Sequence, residues 1–149
     1  MLFRSGIFRV DLGDLNQAKV SVEYGFLEMK YLDKSYFIDE NYISEIRPGF
    51  RPGTPYRFDA LNNLKEAVRK FDFVDGSDDS IKEIIAYSRE QDVLTLLALI
   101  PQTTMVPRQQ LYQAITSYFP LPKNVTISGI LDADEEMVYR WWQHIEWQL

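Results

Sequence analysis

Val93-Leu-Thr-Leu-Leu-Ala-Leu-Ile100 is the most continuously apolar stretch of the chain, and it is named the hub segment here. It contains no charged residue and lies between Asp92 and Pro101. A segment that is apolar on nearly every side has no face to expose to water, so we expect it at the centre of the fold. Its Leu and Ala content favours a buried helix over a strand. We expect Asp92 to cap this helix.

Two amphipathic helices are predicted between the hub segment and Asp59. Asp59 is a suitable N-cap for the first helix. Ser80-Ile-Lys-Glu83 matches a capping box and predicts the start of the second. The residues expected to be buried follow helical spacing: Leu61, Leu64, Val68 and Phe71 in the first helix, and Ile81, Ile84 and Ile85 in the second.

After the hub segment, the sequence predicts two more helices and one strand. Pro107 suits the first turn of a helix that carries Leu111, Ile115 and Tyr118. We expect a late strand over Val125–Ile130. Asp132-Ala-Asp-Glu135 is a second capping box and predicts the start of the C-terminal helix.

The N-terminal half has the alternation of a half-buried strand. Val20, Val22, Tyr24 and Phe26 are separated by more polar residues or glycine. The alternation changes phase beyond Phe26, which indicates a bulge near Gly25. The same stretch also has helical spacing, but its Val, Tyr and Gly content favours a strand.

Short connections link this strand to its predicted neighbours. A first strand is expected at Phe3–Leu12, with Phe8 and Val10 on one face. The segments 32–35 and 39–41 are typical of turns and lead into strands at 36–38 and 42–46. Together these segments predict an antiparallel meander of about four strands.

The predicted fold class is therefore α+β, with an N-terminal antiparallel sheet followed by four to five helices and one late strand. At 149 residues and 46% hydrophobic residues, the chain is expected to form one globular domain, 1–149. We divide it into a β-rich half at 1–46, a loop at 47–58 and a helical half at 59–149.

The residue inventory argues against most enzyme chemistry. The chain has no cysteine and one histidine, His144, so neither a Cys-His pair nor a multi-histidine metal site can form. No glycine-rich nucleotide loop appears. The acidic segment 72–79 resembles a calcium loop but lacks the glycine and glutamate positions of an EF-hand. We expect no catalytic residue, no cofactor and no metal, although an enzyme that uses carboxylates remains an alternative.

Charge is unevenly distributed along the chain. The formal net charge is −6, and all of the acidic excess lies in the helical half. An acidic surface repels phosphate backbones and favours basic protein partners. No segment has the length of a membrane helix, and the absence of cysteine suits a reducing compartment. We therefore expect a cytoplasmic protein with neither a nucleic-acid nor a membrane partner.

The loop contains a tandem Arg-Pro-Gly repeat, Arg47-Pro-Gly-Phe-Arg51-Pro-Gly, followed by Arg57. Pro followed by Gly is typical of a type II turn, so each copy is predicted to form one. The three arginines are candidates for contacting a carboxylate, a phosphate or an acidic protein surface. The alternative is a rigid connector whose arginines pair with neighbouring acids.

The C-terminal helix contributes the other candidate binding residues. At about 100° per residue, Met137, Trp141 and Ile145 share an apolar face. Trp147 falls on the opposite, polar side and is our candidate partner anchor together with Tyr139, since Trp is enriched at interface hot spots. The alternative is that Trp147 is buried under a loop. The remaining candidates for partner binding are polar residues of the same segment: Arg140, Asp132, Asp134, Glu135 and Glu136.

Four functions follow as hypotheses. The leading one is a non-enzymatic, acidic protein-binding module of the immunity or inhibitor type that neutralises a basic partner. The second is a structural or assembly subunit of a larger complex, including phage-type assemblies, in which a homo-oligomer is possible. The third is a winged-helix-like module with weak or no DNA binding, because its second helix carries only Arg108 as a cation. The fourth is the carboxylate-dependent enzyme.

Overall fold

The computed structural model describes the backbone of residues 2–149 and the side chains of residues 6–149. The chain forms two compact units, Met1–Ala60 and Leu61–Leu149. The first unit contains an antiparallel sheet of five strands, and the second contains six α-helices within the described residues. The α+β prediction is confirmed. No helix of the described chain is both long enough and apolar enough to cross a membrane.

The sheet is built around one long strand. Its elements are β1 (Leu2–Leu12), β2 (Ala18–Tyr31), β3 (Lys34–Asp39), β4 (Tyr42–Ile46) and β5 (Tyr56–Arg57). β2 pairs with β1 along one edge and with both β3 and β4 along the other, and β5 pairs with β4. All of these pairings are antiparallel.

β3 and β4 follow one another along the same edge of β2, so the chain does not reverse between them. Phe26 pairs with Asp39 and Ser21 pairs with Ile43, which is a shift of one residue in register. Asn41 has a φ of 69° and donates its N–H to the carbonyl of Val22 at 2.9 Å. From Phe26 to Ser21 β2 advances one residue more than the facing segment from Asp39 to Ile43, so the extra residue lies in β2. Residues 40–41 form a turn as predicted, and Asn41 tolerates its left-handed conformation. This turn joins two strands along the same edge of β2, so the predicted meander is wrong.

The phase change in β2 is confirmed. Val20 and Val22 are buried before the change, and Leu27 and Met29 are buried after it. The β1–β2 register shifts on both sides of Gly6, which pairs with Gly25.

Both glycines have positive φ, 139° at Gly6 and 79° at Gly25. A Cβ on Gly6 would lie 1.8 Å from the carbonyl oxygen of Tyr24. Only glycine fits where the two backbones approach this closely.

The six helices are α1 (Asn62–Phe73), α2 (Asp78–Tyr87), α3 (Val93–Leu99), α4 (Met105–Thr116), α5 (Ile127–Leu131) and α6 (Glu135–Glu146). The hub segment forms α3 and the start of the 3-10 turn Ile100–Gln102. Every residue of the hub segment is buried except Ala98, which is half-buried. α3 packs against α4 and α6. The prediction of a central buried helix is confirmed.

Asp92 is fully buried directly before α3, but its side chain does not cap that helix. Its carboxylate accepts hydrogen bonds from the Arg89 backbone N–H at 2.8 Å and from Arg89 Nε at 3.0 Å. The carboxylate therefore closes the 3-10 turn Glu90–Asp92 that separates α2 from α3. The predicted break between these helices is confirmed. Asp92 occupies the N-cap position of α3 as predicted, but its carboxylate makes no capping hydrogen bond to that helix.

Other predicted helix starts lie a few residues from the observed ones. α1 begins at Asn62, so Asp59 is not its cap. α2 begins at Asp78, and Ser80 lies inside its first turn, where its hydroxyl donates to the carbonyl of Asp75 at 3.1 Å. Asp134 caps α6 by accepting from Met137 N–H at 3.0 Å, so the capping residue is the second aspartate of the predicted box.

The predicted late strand at Val125–Ile130 is wrong. Thr126 accepts a hydrogen bond from the N–H of Gly129 at 3.0 Å and caps the short helix α5. A threonine cap thus outweighs the β-branched composition of the segment. Most of the predicted core residues are buried, but Leu61 and Tyr118 are exposed and Ile85 is half-buried.

Candidate functional site

Trp147 is a strongly exposed aromatic residue of the second unit, with 88% of its surface accessible. It directly follows α6. Trp141 on the same helix is fully buried, and Trp142 is half-buried. Six residues correspond to about 600° of helical rotation, so Trp141 and Trp147 cannot share a face. The alternative in which the last turn buries Trp147 is not observed.

The side of α6 that leads to Trp147 is ordered by contacts between successive turns. The Trp142 and Tyr139 rings stack with centroids 5.8 Å apart and planes 15° apart. Gln143 Nε2 donates to the Tyr139 hydroxyl at 3.2 Å. We define the outer face of α6 as Glu136, Tyr139, Arg140, Gln143 and Trp147.

Arg140 is held in place on this outer face. It forms an ion pair with Glu136 one turn earlier and donates from Nη1 to the carbonyl of Asn124 at 3.2 Å. Such exposed pairs contribute only about 0.2–0.5 kcal/mol to stability, so their main effect here is positional. The outer face therefore presents an ordered pattern of charge and aromatic surface.

The four candidate acids lie at the opposite end of α6 from Trp147. Asp132, Asp134, Glu135 and Glu136 are all exposed. Asp134 caps the helix and Glu136 pairs with Arg140, so these two acids have roles within the second unit. A helix of 12 residues is about 18 Å long, which separates the acids from Trp147 by most of its length.

The acidic excess lies almost entirely in the second unit. Residues 61–149 contain eight Lys and Arg residues against thirteen Asp and Glu residues, whereas residues 1–60 contain eight against nine. A unit with this balance attracts cationic surfaces at long range and repels polyanions. The charge therefore supports a basic protein partner more than a nucleic acid.

The winged-helix-like arrangement, with α3 and α4 as its two helices and segment 125–130 as its wing, lacks the features of a DNA reader. Arg108 of α4 directs its guanidinium to two carbonyl groups, those of Ile100 at 3.0 Å and Leu131 at 3.1 Å. The segment that would form the wing is helical. Since phosphate contacts supply most nucleic-acid affinity, an engaged Arg108 argues against this function.

In the first unit, the two copies of the Arg-Pro-Gly repeat have different structures. Phe50 N–H donates to the Arg47 carbonyl at 3.2 Å and Gly49 has a φ of 82°, which confirms a type II turn for the first copy. In the second copy, Gly53 N–H donates to the Glu45 carbonyl at 2.8 Å, and the Gly53 carbonyl accepts from Ser44 Oγ at 2.7 Å. The second copy is therefore joined to β4, and the turn predicted for it is not formed.

The three arginines of this loop contact groups of their own unit. Arg47 Nη2 lies 3.9 Å from Glu45 Oε1. Arg51 Nη1 donates to the Pro52 carbonyl at 3.0 Å. Arg57 makes a two-pronged contact with the carboxylate of Asp59, at 2.8 and 3.2 Å. These contacts favour the interpretation of the loop as a rigid connector.

A cleft of about 240 Å³ lies at one end of the sheet in the first unit. It is lined by two acids and two bases, among other residues: Asp11, Leu12, Gly13, Gln17, Ala18, Lys19, Glu45, Ile46 and Arg47. Its charges balance, so the cleft has no clear preference for an anion or a cation.

His144 is exposed on α6. No group of three or more His, Cys, Asp or Glu residues in the described chain is arranged to hold a metal ion. The acidic segment 72–79 therefore contains no such group either.

One feature of the first unit was missed by sequence reasoning, namely that β1 is an edge strand. Among the described residues it pairs with β2 alone, and its side chains from Arg9 to Leu12 are all exposed. The signal available in the sequence is the pair Arg9 and Asp11, since charged residues are common on edge strands.

Comparisons with known proteins gave no match: the chain matches no protein-family model, no curated protein and no solved structure. The function is therefore argued from the chemistry of the surfaces described above. Of these, the outer face of α6 has the exposed aromatic anchor, and it belongs to the unit with the acidic excess.

Proposed function

We propose that the protein is a non-enzymatic protein-binding module that docks a basic partner on the outer face of α6. The observation that carries this proposal is the 88% exposure of Trp147. Leaving an indole in water forgoes the stabilisation that its burial would give, of the order of 2 kcal/mol or more. Trp is also among the residues most enriched at the energetic centre of protein interfaces. A partner that covers Trp147 would recover that burial.

The outer face and three residues beside it, Trp142, Asp132 and Glu135, have separate roles in this proposal. Trp147 is the anchor that enters a pocket on the partner. The stacked Tyr139 and Trp142 rings form a wall that is already ordered, so little side-chain entropy is lost on binding. Asp132 and Glu135 lie at the other end of the helix and would contact cationic residues at the rim.

The acidic excess of the second unit supports an inhibitor-like or immunity-like mode of action. A protein that neutralises a basic partner benefits from fast, charge-steered association. The location that we propose is the cytoplasm, since a chain with no cysteine among 149 residues suits a reducing compartment. This choice of location is independent of the choice of binding face.

The anchor is tested by capturing partners from native cell extract on immobilised protein, with identification by mass spectrometry. We expect the wild type and a Tyr118→Ala control to retain a basic protein that Trp147→Ala loses. Tyr118 is a suitable control because it is an exposed aromatic residue of the same unit, outside α6. With the captured protein purified, Trp147→Ala should raise the Kd by at least about 30-fold, as expected for a hot spot of 2 kcal/mol.

The acidic rim is tested by charge reversal. Asp132→Lys with Glu135→Lys leaves the Asp134 cap and the Glu136–Arg140 pair intact. The matched control is Asp78→Lys with Asp79→Lys, which makes the same change in net charge at the exposed start of α2. We expect slower association for the first double variant than for the second. Capture that is insensitive to both Trp147→Ala and the Asp132/Glu135 reversal would exclude this face.

A further inference from the structure

The outer edge of β1 is open to pairing with another strand. In the described chain, β1 is hydrogen-bonded to β2 alone, and it runs for 11 residues. Ile7, Val10 and Leu12 are 60%, 44% and 85% exposed. A long edge strand with exposed apolar side chains presents backbone N–H and C=O groups that can template another strand, and natural proteins usually cover or block such edges.

The charged residues of this edge do not block a second copy of the same strand. Arg9 and Asp11 lie on one face of β1, with Arg9 Nε 3.2 Å from Asp11 Oδ1. Phe8, Val10 and Leu12 alternate with them on the other face. If two β1 strands pair antiparallel with Val10 opposite Val10, each Arg9 lies opposite Asp11 of the second copy. In the same register, each Phe8 lies opposite Leu12 of the second copy.

Neighbouring registers lack this match. A two-fold axis at Arg9 would place two guanidinium groups opposite one another, and an axis at Asp11 would oppose two carboxylates. Like charges directly across a strand pair are destabilising, whereas opposite charges contribute about 0.2–1 kcal/mol. Only the register centred on Val10 matches both faces of the strand at once.

We propose that β1 binds β1 of a second copy of this chain, antiparallel and with the two-fold axis at Val10. The alternation of Arg9 and Asp11 around Val10 selects a second copy over an unrelated strand, because it is complementary to itself. The regular part of β1 covers residues 8–12, beyond the register shift at Ile7/Phe8. With so few residue pairs, we expect a Kd in roughly the micromolar range. This surface belongs to the first unit and is independent of the partner proposed for α6.

The register is tested by disulfide trapping. The chain has no cysteine, so a single introduced thiol can react only with its counterpart. Directly opposed residues have Cα atoms about 4.5–5.5 Å apart, which suits a disulfide. Val10→Cys should therefore form a covalent dimer under mild oxidation. Leu12→Cys is the matched control: in this register the two thiols are displaced by four residues, about 13 Å, and should not cross-link.

The interface is tested by sedimentation velocity across micromolar concentrations, with a charge swap. We expect a monomer–dimer equilibrium in the wild type. Asp11→Arg should raise the dimer Kd about tenfold, and Arg9→Asp combined with Asp11→Arg should restore it. Circular dichroism checks that each variant is folded.

Three results would overturn this proposal. The first is a wild type that stays monomeric over the whole range and gives no Val10→Cys cross-link. The second is a dimer that Asp11→Arg leaves unchanged, since the interface would then lie elsewhere. The third is cross-linking of Leu12→Cys as fast as that of Val10→Cys. None of these results bears on capture through Trp147.

Discussion

The two units differ in the kind of position at which a substitution should be most damaging. In the second unit that position is a side chain: Leu97 in α3 is 1% exposed and lies within an almost entirely buried segment. In the first unit it is the absence of a side chain, at Gly6, where the β1 and β2 backbones approach too closely for a Cβ. The helical unit thus depends on apolar burial, whereas the sheet unit depends at this point on backbone fit.

The largest expected effect is that of Leu97→Asp, which we predict abolishes folding of the second unit. It would place a charge in the buried centre, at a cost above about 5 kcal/mol. Loss of the helical circular-dichroism signal is the measurement. Val74→Asp is the control, because Val74 is 79% exposed at the C-cap of α1, where a carboxylate should lower the unfolding midpoint only slightly. A soluble Leu97→Asp variant that melts cooperatively would show that α3 is not the centre of this unit.

Gly6→Ala should be the most disruptive small change in the first unit. The added Cβ would meet the Tyr24 carbonyl, and the φ of 139° is itself unfavourable for alanine. We expect a loss of about 3 kcal/mol, seen as faster hydrogen exchange of the β1 and β2 amides. Gly13→Ala is the control, since its Cβ would meet only Gln17 O at 3.7 Å. Equal exchange in the two variants would contradict the close approach.

Asp92→Ala tests whether the second unit depends on more than apolar burial. The substitution removes the buried carboxylate that holds the turn before α3. The Arg89 side chain then loses this ion-pair partner, but it is 32% exposed and can be partly solvated. We expect a loss of about 2 kcal/mol in the free energy of unfolding by urea, less than for a fully buried pair. Asp79→Ala, which removes an exposed pair with Lys82 at 3.8 Å, should cost under about 0.5 kcal/mol. Similar losses in both variants would refute the special role of Asp92.

The smallest predicted effect is a gain in the first unit. The turn between β2 and β3 has positive φ at both of its central residues, Leu32 and Asp33. Such turns strongly prefer Asn-Gly. Leu32→Asn with Asp33→Gly should therefore stabilise this unit by about 1 kcal/mol, measured as a higher Tm. An unchanged or lower Tm would indicate that the exposed Leu32 side chain has a stabilising contact.

Properties that depend on local periodicity could be read from the sequence. The buried hub segment follows from spacing along the chain, and the structure confirms it. The apolar faces of α1 and α6 and the alternation within β2 are confirmed only in part, because Leu61 and Tyr24 are exposed and Met137 is half-buried. The exposure of Trp147 also follows from its angle on α6. The identity of a partner cannot be inferred from residue spacing in this way.

Helix starts could not be placed as reliably, because several residues compete for each cap. Asp59 and Ser80 are good capping residues by type, yet Asp59 pairs with Arg57 and Ser80 bonds to the Asp75 carbonyl. Thr126 contributes to a β-branched segment and also caps α5. Which role a residue takes depends on the partner that the fold brings to it.

Strand order depends on contacts between residues that are distant along the chain. The segment 39–41 has the composition of a turn whether or not the chain reverses there, and the outcome depends on pairing with β2, including the bond from Asn41 N–H to the Val22 carbonyl. Sequence spacing likewise could not reveal that β1 has a single neighbour within the part of the chain that the structure describes. The edge position of β1 was missed and the meander was predicted wrongly for the same reason, since both depend on pairing between distant residues.

The placement of the three tryptophans on or directly after α6 has a spectroscopic consequence. The chain has no tryptophan outside residues 141–147, so intrinsic emission excited at long wavelength comes only from the second unit. Trp141 is fully enclosed and Trp147 faces water, so one emission band combines a blue-shifted and a red-shifted fluorophore. Quenching by iodide would therefore reach Trp147 before Trp141.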